Sequence, residues 1–398
     1  MEVTIERILP GGLGLAHNDG RTIMVALAAA GDRVRIRVDR IKGNVSFASI
    51  EEIITPSPHR VEPPCPYFGR CGGCDFQQLN YQAQLEAKAE IVRDCLRRLA
   101  RIENIPDFQI TAAPSPWHYR SRAQWQYDTV RQRLGYFESG SRNVCDVADC
   151  AVLAPQLQST LESLRARMTT GSLTDARDFR AVIGDQGVSI SPALDGDRVA
   201  DITRTVQGES YRLNAESFFQ ANDGLLPQLI DAAIGEAKGH TAVELYCGAG
   251  LFTLPLARRF SRVIGVEADH AAAKFARETL AGAGLTNAEV ATRDVGVWLD
   301  DVKRHDLSRL TQESANAIRK QIDFVLLDPP RVGAESRVIA GILGLQPRRI
   351  SYVSCDPATL ARDLKKLIAG GYHLVSISAF DMFPQTHHVE TVVRLTAA

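Results

Sequence analysis

No stretch of the 398 residues is apolar for long enough to cross a bilayer. The most extended, Ile23–Ala30, falls far short of the roughly 20 residues that a spanning helix needs. Neither sign of charge dominates: 46 basic side chains stand against 47 acidic ones, a net charge of -1. Composition therefore supplies no general attraction for a polyanion, and any nucleic-acid surface has to be a local patch. Met1–Glu6 carries neither a basic flank nor an apolar core, so a secretory signal is not expected and the chain reads as cytoplasmic. There is no internal repeat and no low-complexity tract. The balance of 45% apolar and 23% charged residues is that of a globular protein, with length for two to four domains. Membrane-spanning, collagen-like and largely disordered chains are excluded.

Cysteine is what the chain does hold, eight in all. With no export signal expected, clustered cysteines point to metal binding or chemistry rather than to a disulfide scaffold.

Three regions follow one another. Residues 1–54 read as a small β-barrel: Val3-Thr4-Ile5, Ile23-Met24-Val25, Val34–Val38 and Val45-Ser46-Phe47 are strand-like, and Gly11-Gly12, Asn18-Asp19-Gly20 and Lys42-Gly43-Asn44 are turns. A proline-rich linker leads to an α+β middle domain over 60–223. In it, Leu85, Ala89, Val92, Leu96 and Leu99 share one helix face, Cys95 flanks that face as a core thiol, and Leu157, Leu161 and Leu164 mark a second helix. From 224 to 398, strand-like and helix-like segments alternate as in a doubly wound parallel sheet.

Cys65, Cys71 and Cys74 form C-x5-C-x2-C around Gly72-Gly73. Three thiolates this close repel one another and need a cation. Tetrahedral zinc or a cubane iron–sulfur cluster needs a fourth ligand, for which Cys145 and Cys150 are the candidates. A single C-x2-C knuckle leans the spacing toward iron–sulfur and leaves zinc open.

Val243-Glu244-Leu245-Tyr246-Cys247-Gly248-Ala249-Gly250-Leu251-Phe252-Thr253 is a strand, a glycine turn and a helix start, and Glu267 ends the next strand. Gly248 and Gly250 permit close backbone approach, and the acid suits ribose hydroxyls. Thr253 stands where a dinucleotide motif wants its third glycine, which points to S-adenosylmethionine, a ligand with ribose hydroxyls and no phosphate. Cys247, inside this motif, reads as structural. Asp328, in Asp328-Pro329-Pro330-Arg331, follows a buried strand and belongs at the same sheet edge, or is simply a turn acid.

Cys355 follows the strand Ile350–Ser354 and precedes a helix, where partial exposure and the helix dipole favour a thiolate. Glu390 starts a last strand and, taken alone, reads as a surface glutamate. His387 and His388 lack the helix spacing of a zinc pair. Tyr119-Arg120-Ser121-Arg122, with Trp117 and Trp125, offers guanidinium and aromatic surface to RNA, or else forms a half-buried strand.

Together these motifs resemble the RNA uracil-C5 methyltransferase family over essentially the whole chain. Gly11-Gly12-Leu13-Gly14 and Ala30-Gly31-Asp32-Arg33-Val34 look like a TRAM domain, and Cys65, Cys71 and Cys74 match the family's [4Fe-4S] triplet. Cys150-Ala151-Val152-Leu153-Ala154-Pro155 looks like the context of the fourth ligand, so the resemblance implies Cys150. It likewise implies donor contacts at Gln220, in Phe219-Gln220-Ala221-Asn222, and at Tyr246, Glu267, Asp294 and Asp328. Val353-Ser354-Cys355-Asp356-Pro357 looks like the nucleophile motif and His388-Val389-Glu390 like the general-base motif. Two departures stand out. Leu251 replaces a common donor-binding asparagine, and Asp301–Gln321 looks like an extra surface loop.

The implied architecture is a TRAM barrel, an iron–sulfur middle domain and a Rossmann-like methyltransferase domain. The implied reaction moves a methyl group from S-adenosylmethionine to C5 of an unpaired or flipped uridine through a Cys355–C6 adduct, with Glu390 as base. The TRAM and cysteine features together are similar to the branch acting on large-subunit (23S) ribosomal RNA. A tRNA uridine, cytosine C5 and a non-catalytic iron–sulfur RNA-binding module are the alternatives.

Overall fold

The computed structural model describes residues 1–173, 176–194 and 196–398. Among them no helix is long and apolar enough to cross a membrane.

Between Glu2 and Thr55 six strands form one sheet. Alternation builds it: along Arg33–Lys42, Val34 and Ile36 point into a core with Ile5, Ile23, Val25 and Ala48, while Arg33, Arg35 and Arg37 face outward. The buried Asp32 ties this core to the linker by accepting the N–H groups of Ala29 (2.7 Å) and Ser57 (2.9 Å) and pairing with Arg60.

Five antiparallel strands follow, in the spatial order Val144–Asp146, Arg133–Phe137, Arg122–Asp128, Asp178–Gly184 and Gly187–Ser191. The helix Pro155–Thr169 covers one face with Leu157, Leu161 and Leu164, all fully buried. Trp125 points into this core with no exposed surface, so it cannot stack on RNA. Period-2 alternation puts Ala123, Trp125 and Tyr127 inside and leaves Arg122, Gln124 and Gln126 on the other face.

The C-terminal half is built on an eight-stranded sheet. Gly239–Leu245, Phe260–Glu267, Ala288–Thr292, Phe324–Leu327 and Arg349–Ser354 run parallel, and helices flank them. Contrary to the all-parallel expectation, Glu390–Ala397 inserts antiparallel between Arg349–Ser354 and Tyr372–Phe380. An apolar run does not encode strand direction, which the preceding connection sets. A two-residue strand from the middle region, Ile110–Thr111, adds to the edge beside Ala379 and Phe380.

Two other expectations fail. Helix Tyr81–Cys95 buries Gln84 and Lys88 beside Ala83, Ala89, Ile91, Val92 and Cys95, whereas Leu99 is 46% exposed. A wider turn over Leu96–Ala100 shifts the phase, and the polar pair finds partners in the C-terminal half. The stretch Asp301–Gln321 is no simple loop. Val295–Lys303 and Gln312–Lys320 are helices, and the second buries Ser314 and Ala315.

Candidate active site

At the end of Gly239–Leu245 the chain turns sharply. Tyr246 takes φ +64°, a left-handed conformation that a tyrosine rarely adopts. Gly248 and Gly250 follow at +53° and +92°, and a Cβ on Gly250 would lie 3.3 Å from Ala276. Glu267 holds this turn. Its Oε2 accepts the Gly248 N–H at 2.9 Å and its Oε1 accepts the Asp269 N–H at 2.8 Å. Each oxygen keeps a further lone pair for a hydroxyl donor. Asp294 caps the next helix through the Val297 N–H (2.9 Å) and pairs with Arg337 at 3.1 Å. Burial, with Glu335 and Asp294 nearby, pushes the Tyr246 phenol up to about 12. Leu251 is buried, and its carbonyl accepts the Tyr211 hydroxyl at 3.3 Å.

Asp328 leaves the end of Phe324–Leu327 and is hydrogen-bonded to Gln220, itself 5% exposed. Burial pushes its carboxyl up to about 7, although the Gln220 bond opposes that. Asp328 in turn raises Glu390, which burial already holds well above the carboxylate range, so the two titrate together. Glu390 is 1% exposed, so the surface reading fails; its Oε1 has no hydrogen-bond partner.

Cys355 follows Ser354, just ahead of the cap residue Asp356, whose side chain accepts the Thr359 N–H at 2.8 Å. The thiol is partly exposed, yet it is pushed up to about 12. Burial is the first cause and Glu390 the second; Arg331 opposes them. The expectation of a resting thiolate is therefore corrected, because burial first, and the carboxyl of Glu390 second, favour the neutral thiol.

Beside this pair runs a groove lined by Cys74, Arg120, Arg122, Phe218, Arg331 and His388. Phe218 is 60% exposed, with the Arg122 guanidinium 5.4 Å from its ring centre. Burial and nearby cations hold His388 down at about 2, so it stays neutral. Sequence reasoning did not nominate Phe218 or Arg331 as site residues. Their signals were present: Phe218 lies two residues before Gln220, and Arg331 closes the Asp328-Pro329-Pro330 turn.

Residues 189–398 match the tRNA (uracil-5-)-methyltransferase family and residues 1–50 match the TRAM domain. A Gloeobacter violaceus protein described as an uncharacterized RNA methyltransferase is 32% identical over 99% of this chain and 95% of its own length. The chain belongs to the tRNA (uracil-5-)-methyltransferase family. It is an S-adenosylmethionine-dependent RNA uracil-C5 methyltransferase. The 23S rRNA (uracil(1939)-C(5))-methyltransferase RlmD of Pectobacterium atrosepticum is 31% identical over 98% of this chain and 92% of its own length. In fold, the methyltransferase is similar to the tRNA (uracil-54, C5)-methyltransferase of Pyrococcus abyssi, crystallised with S-adenosyl-L-homocysteine. The TM-score is 0.74 at 23% identity, covering all of both chains.

Cys65, Cys71, Cys74 and Cys150 of the methyltransferase line one small cavity, which shares Cys74 and Arg120 with the groove wall. Cys145 does not line it and instead accepts the Arg70 Nε–H at 3.3 Å. Among the described residues, no three His, Cys, Asp or Glu side chains converge on a single-ion position. Burial pushes Cys71 to about 11 and Cys74 to about 12, and Cys150 raises Cys65, Cys71 and Cys74 further. Arg120 also lines the cavity, with a buried Nε that has no hydrogen-bond partner. Four thiols and a guanidinium share this lining, a donor set whose chemistry suits a negatively charged, sulfur-ligated centre.

Proposed function

We propose that this methyltransferase modifies a uridine of large-subunit ribosomal RNA, presented unpaired or flipped, through a covalent bond between Cys355 and uracil C6. The carrying observation is the Cys355–Glu390 pair, set where the donor edge meets a groove rich in arginine. The RlmD relative supports ribosomal RNA, and the N-terminal TRAM domain supports an RNA substrate.

S-adenosylmethionine supplies the methyl group on a positive sulfonium. Gln220, Tyr246, Gly248, Gly250, Glu267, Asp294 and Asp328 hold it. The buried carboxyls of Asp328 and Glu390 suit a cation, which draws both toward ionisation. The sulfonium charge and Arg331 oppose the two carboxylates, which raise the Cys355 thiol, and the thiol proton passes to solvent. The Cys355 thiolate then forms the S–C6 bond, moving negative charge onto C5 and O4. C5 takes the methyl group, and the donor leaves as neutral S-adenosylhomocysteine. Glu390 removes the C5 proton, and the electron pair of that C–H bond expels the Cys355 thiolate. A base so placed contributes about 10²–10⁴ in rate.

Residues 60–223 act as an RNA-binding middle domain, with Cys65, Cys71, Cys74 and Cys150 as ligands of a [4Fe-4S] cluster that stiffens the groove wall. The reaction moves no net electron, so the cluster's part is structural. The testing experiment maps 5-methyluridine in rRNA and tRNA from cells with and without the protein. A single lost site in large-subunit rRNA is expected. Loss only in tRNA, or loss of 5-methylcytidine instead, overturns the reading.

A further inference from the structure

The cysteine loop and the segment leading into Glu390 are joined by a continuous set of hydrogen bonds. Asp75, directly after Cys74, accepts the His387 N–H on Oδ1 at 2.8 Å and meets His387 Nδ1 with Oδ2 at 2.5 Å. The amides of Asp75 and Phe76 donate to the Gln385 carbonyl at 3.1 and 3.0 Å. Gln84 closes the other side: it accepts the Gln385 N–H at 3.0 Å and donates to Gln385 Oε1 at 3.0 Å. The His387 ring lies 4.1 Å from that of His388, two residues before Glu390.

Glu390 needs such support. It is the first residue of its strand, so the sheet holds its backbone from the C-terminal side onward. Among the described residues nothing hydrogen-bonds its Oε1. On the N-terminal side the chain between Phe380 and Glu390 belongs to no strand, and Asp75 and Gln84 grip it there. Cys355 depends on neither: it sits between its own strand and the capped helix Pro357–Ala369.

We propose that Asp75 is a positioning residue for proton removal: by fixing His387 it sets the Glu390 carboxylate against the C5 proton. The inference rests on the reading of Glu390 as base. It makes the effect of Asp75 specific to one step. Loosening the grip slows proton removal, which an ångström of misplacement can slow about a hundredfold, and leaves thiol addition and methyl transfer intact. The methylated RNA then waits on Cys355.

The test compares Asp75→Ala, Asp75→Asn and His387→Phe in the full-length protein with a ribosomal RNA fragment as substrate. Turnover, the dissociation constants for S-adenosylmethionine and for RNA, and the slow RNA–protein band on a denaturing gel are measured. Asp75→Ala and His387→Phe are expected to lower turnover about ten- to a hundredfold, to keep both dissociation constants within about twofold, and to strengthen the band. Asp75→Asn keeps an oxygen for the His387 amide and should recover most of the turnover. Combining Asp75→Ala with His387→Phe should be no worse than Asp75→Ala alone, since Asp75→Ala already removes both the ring and the amide bond to His387. Unchanged turnover of Asp75→Ala and His387→Phe, or a band that weakens in step with turnover, overturns the proposal; the latter marks a general structural defect, and His387→Phe gives the same reading if Asp75→Ala does not fold. Failure of the underlying reading shows elsewhere, with Asp75 intact, as normal turnover of Glu390→Gln.

Discussion

Cys355 and Glu390 continue one antiparallel register: Ser354 pairs with Thr391 across adjacent strands, and the thiol and the carboxyl follow as the next facing positions. The two groups come from segments 35 residues apart and leave the sheet at the same end. Their separate roles should show as opposite gel patterns. Cys355→Ala is expected to abolish both methylation and covalent RNA capture. Glu390→Gln should cut turnover about 10²–10⁴-fold while methylated RNA stays bound to Cys355. A Glu390→Gln protein that turns over normally would remove the base from the mechanism.

The raised carboxyl of Asp328 makes donor binding depend on pH. Its folded value near 7 lies above the ordinary 3.8, so the fold prefers the protonated form, and that contribution to stability is lost as pH rises from about 4 through about 7. A cationic donor has the opposite preference. Affinity for S-adenosylmethionine should rise between about pH 6 and about pH 8, by up to about tenfold per unit where one proton is released. S-adenosylhomocysteine, whose sulfur is neutral, should show a much flatter profile. Titration calorimetry of both ligands across that range decides the matter, and Asp328→Asn should flatten the S-adenosylmethionine curve. Parallel curves for the two ligands would remove Asp328 from the sulfonium's surroundings.

How much of this was legible in sequence depended on the range of the interaction. The buried strands could be read because Val263–Val266 and Phe324–Leu327 are short apolar runs bounded by turns. The glycine turn and its acid could be read because a tight strand-to-helix turn leaves few residue choices. What sequence missed was set by distant partners. Gln84 and Lys88 break the apolar helix pattern because their partners, Gln385 and Asp381, lie about three hundred positions on. Cys355 looked like a thiolate because the helix behind it is local, whereas the packing that buries it and the Glu390 carboxyl, which together hold it protonated, come from distant segments. Trp125 was misjudged for a different reason. The alternation that buries it was visible, but the neighbouring arginines drew the reading to the surface.

The cysteine cavity separates two candidate fourth ligands by position. Cys150 lines it and Cys145 does not, so Cys150→Ser should lose iron and brown colour in protein purified without oxygen, whereas Cys145→Ser should retain both. Arg120→Met removes the guanidinium that faces the cavity and should make any iron present more readily lost on exposure to air. Iron and acid-labile sulfide per chain, with the visible spectrum, check all three. A colourless parent protein holding one zinc per chain would replace the cluster by a mononuclear site.

Lys88 and Asp381 are both fully buried and form an ion pair, with the Lys88 ammonium also donating to the Phe383 carbonyl at 3.1 Å. Burial alone drives the Lys88 ammonium downward, and Asp381 is what counters it. Removing one partner therefore leaves a charge with nowhere to go. Lys88→Met is expected to destabilise the protein by about 3–5 kcal/mol, whereas adding Asp381→Leu should recover most of that loss, because an apolar pair of similar volume carries no desolvation cost. Urea unfolding followed by circular dichroism measures both. Activity should separate from stability in the double variant. The pair anchors helix Tyr81–Cys95 to the start of the segment that ends at Glu390, and methionine and leucine fill that space without fixing the Phe383 carbonyl. Turnover in the double variant should stay below that of the parent at full folding, and a double variant with parental turnover would show that the ion pair serves the fold alone.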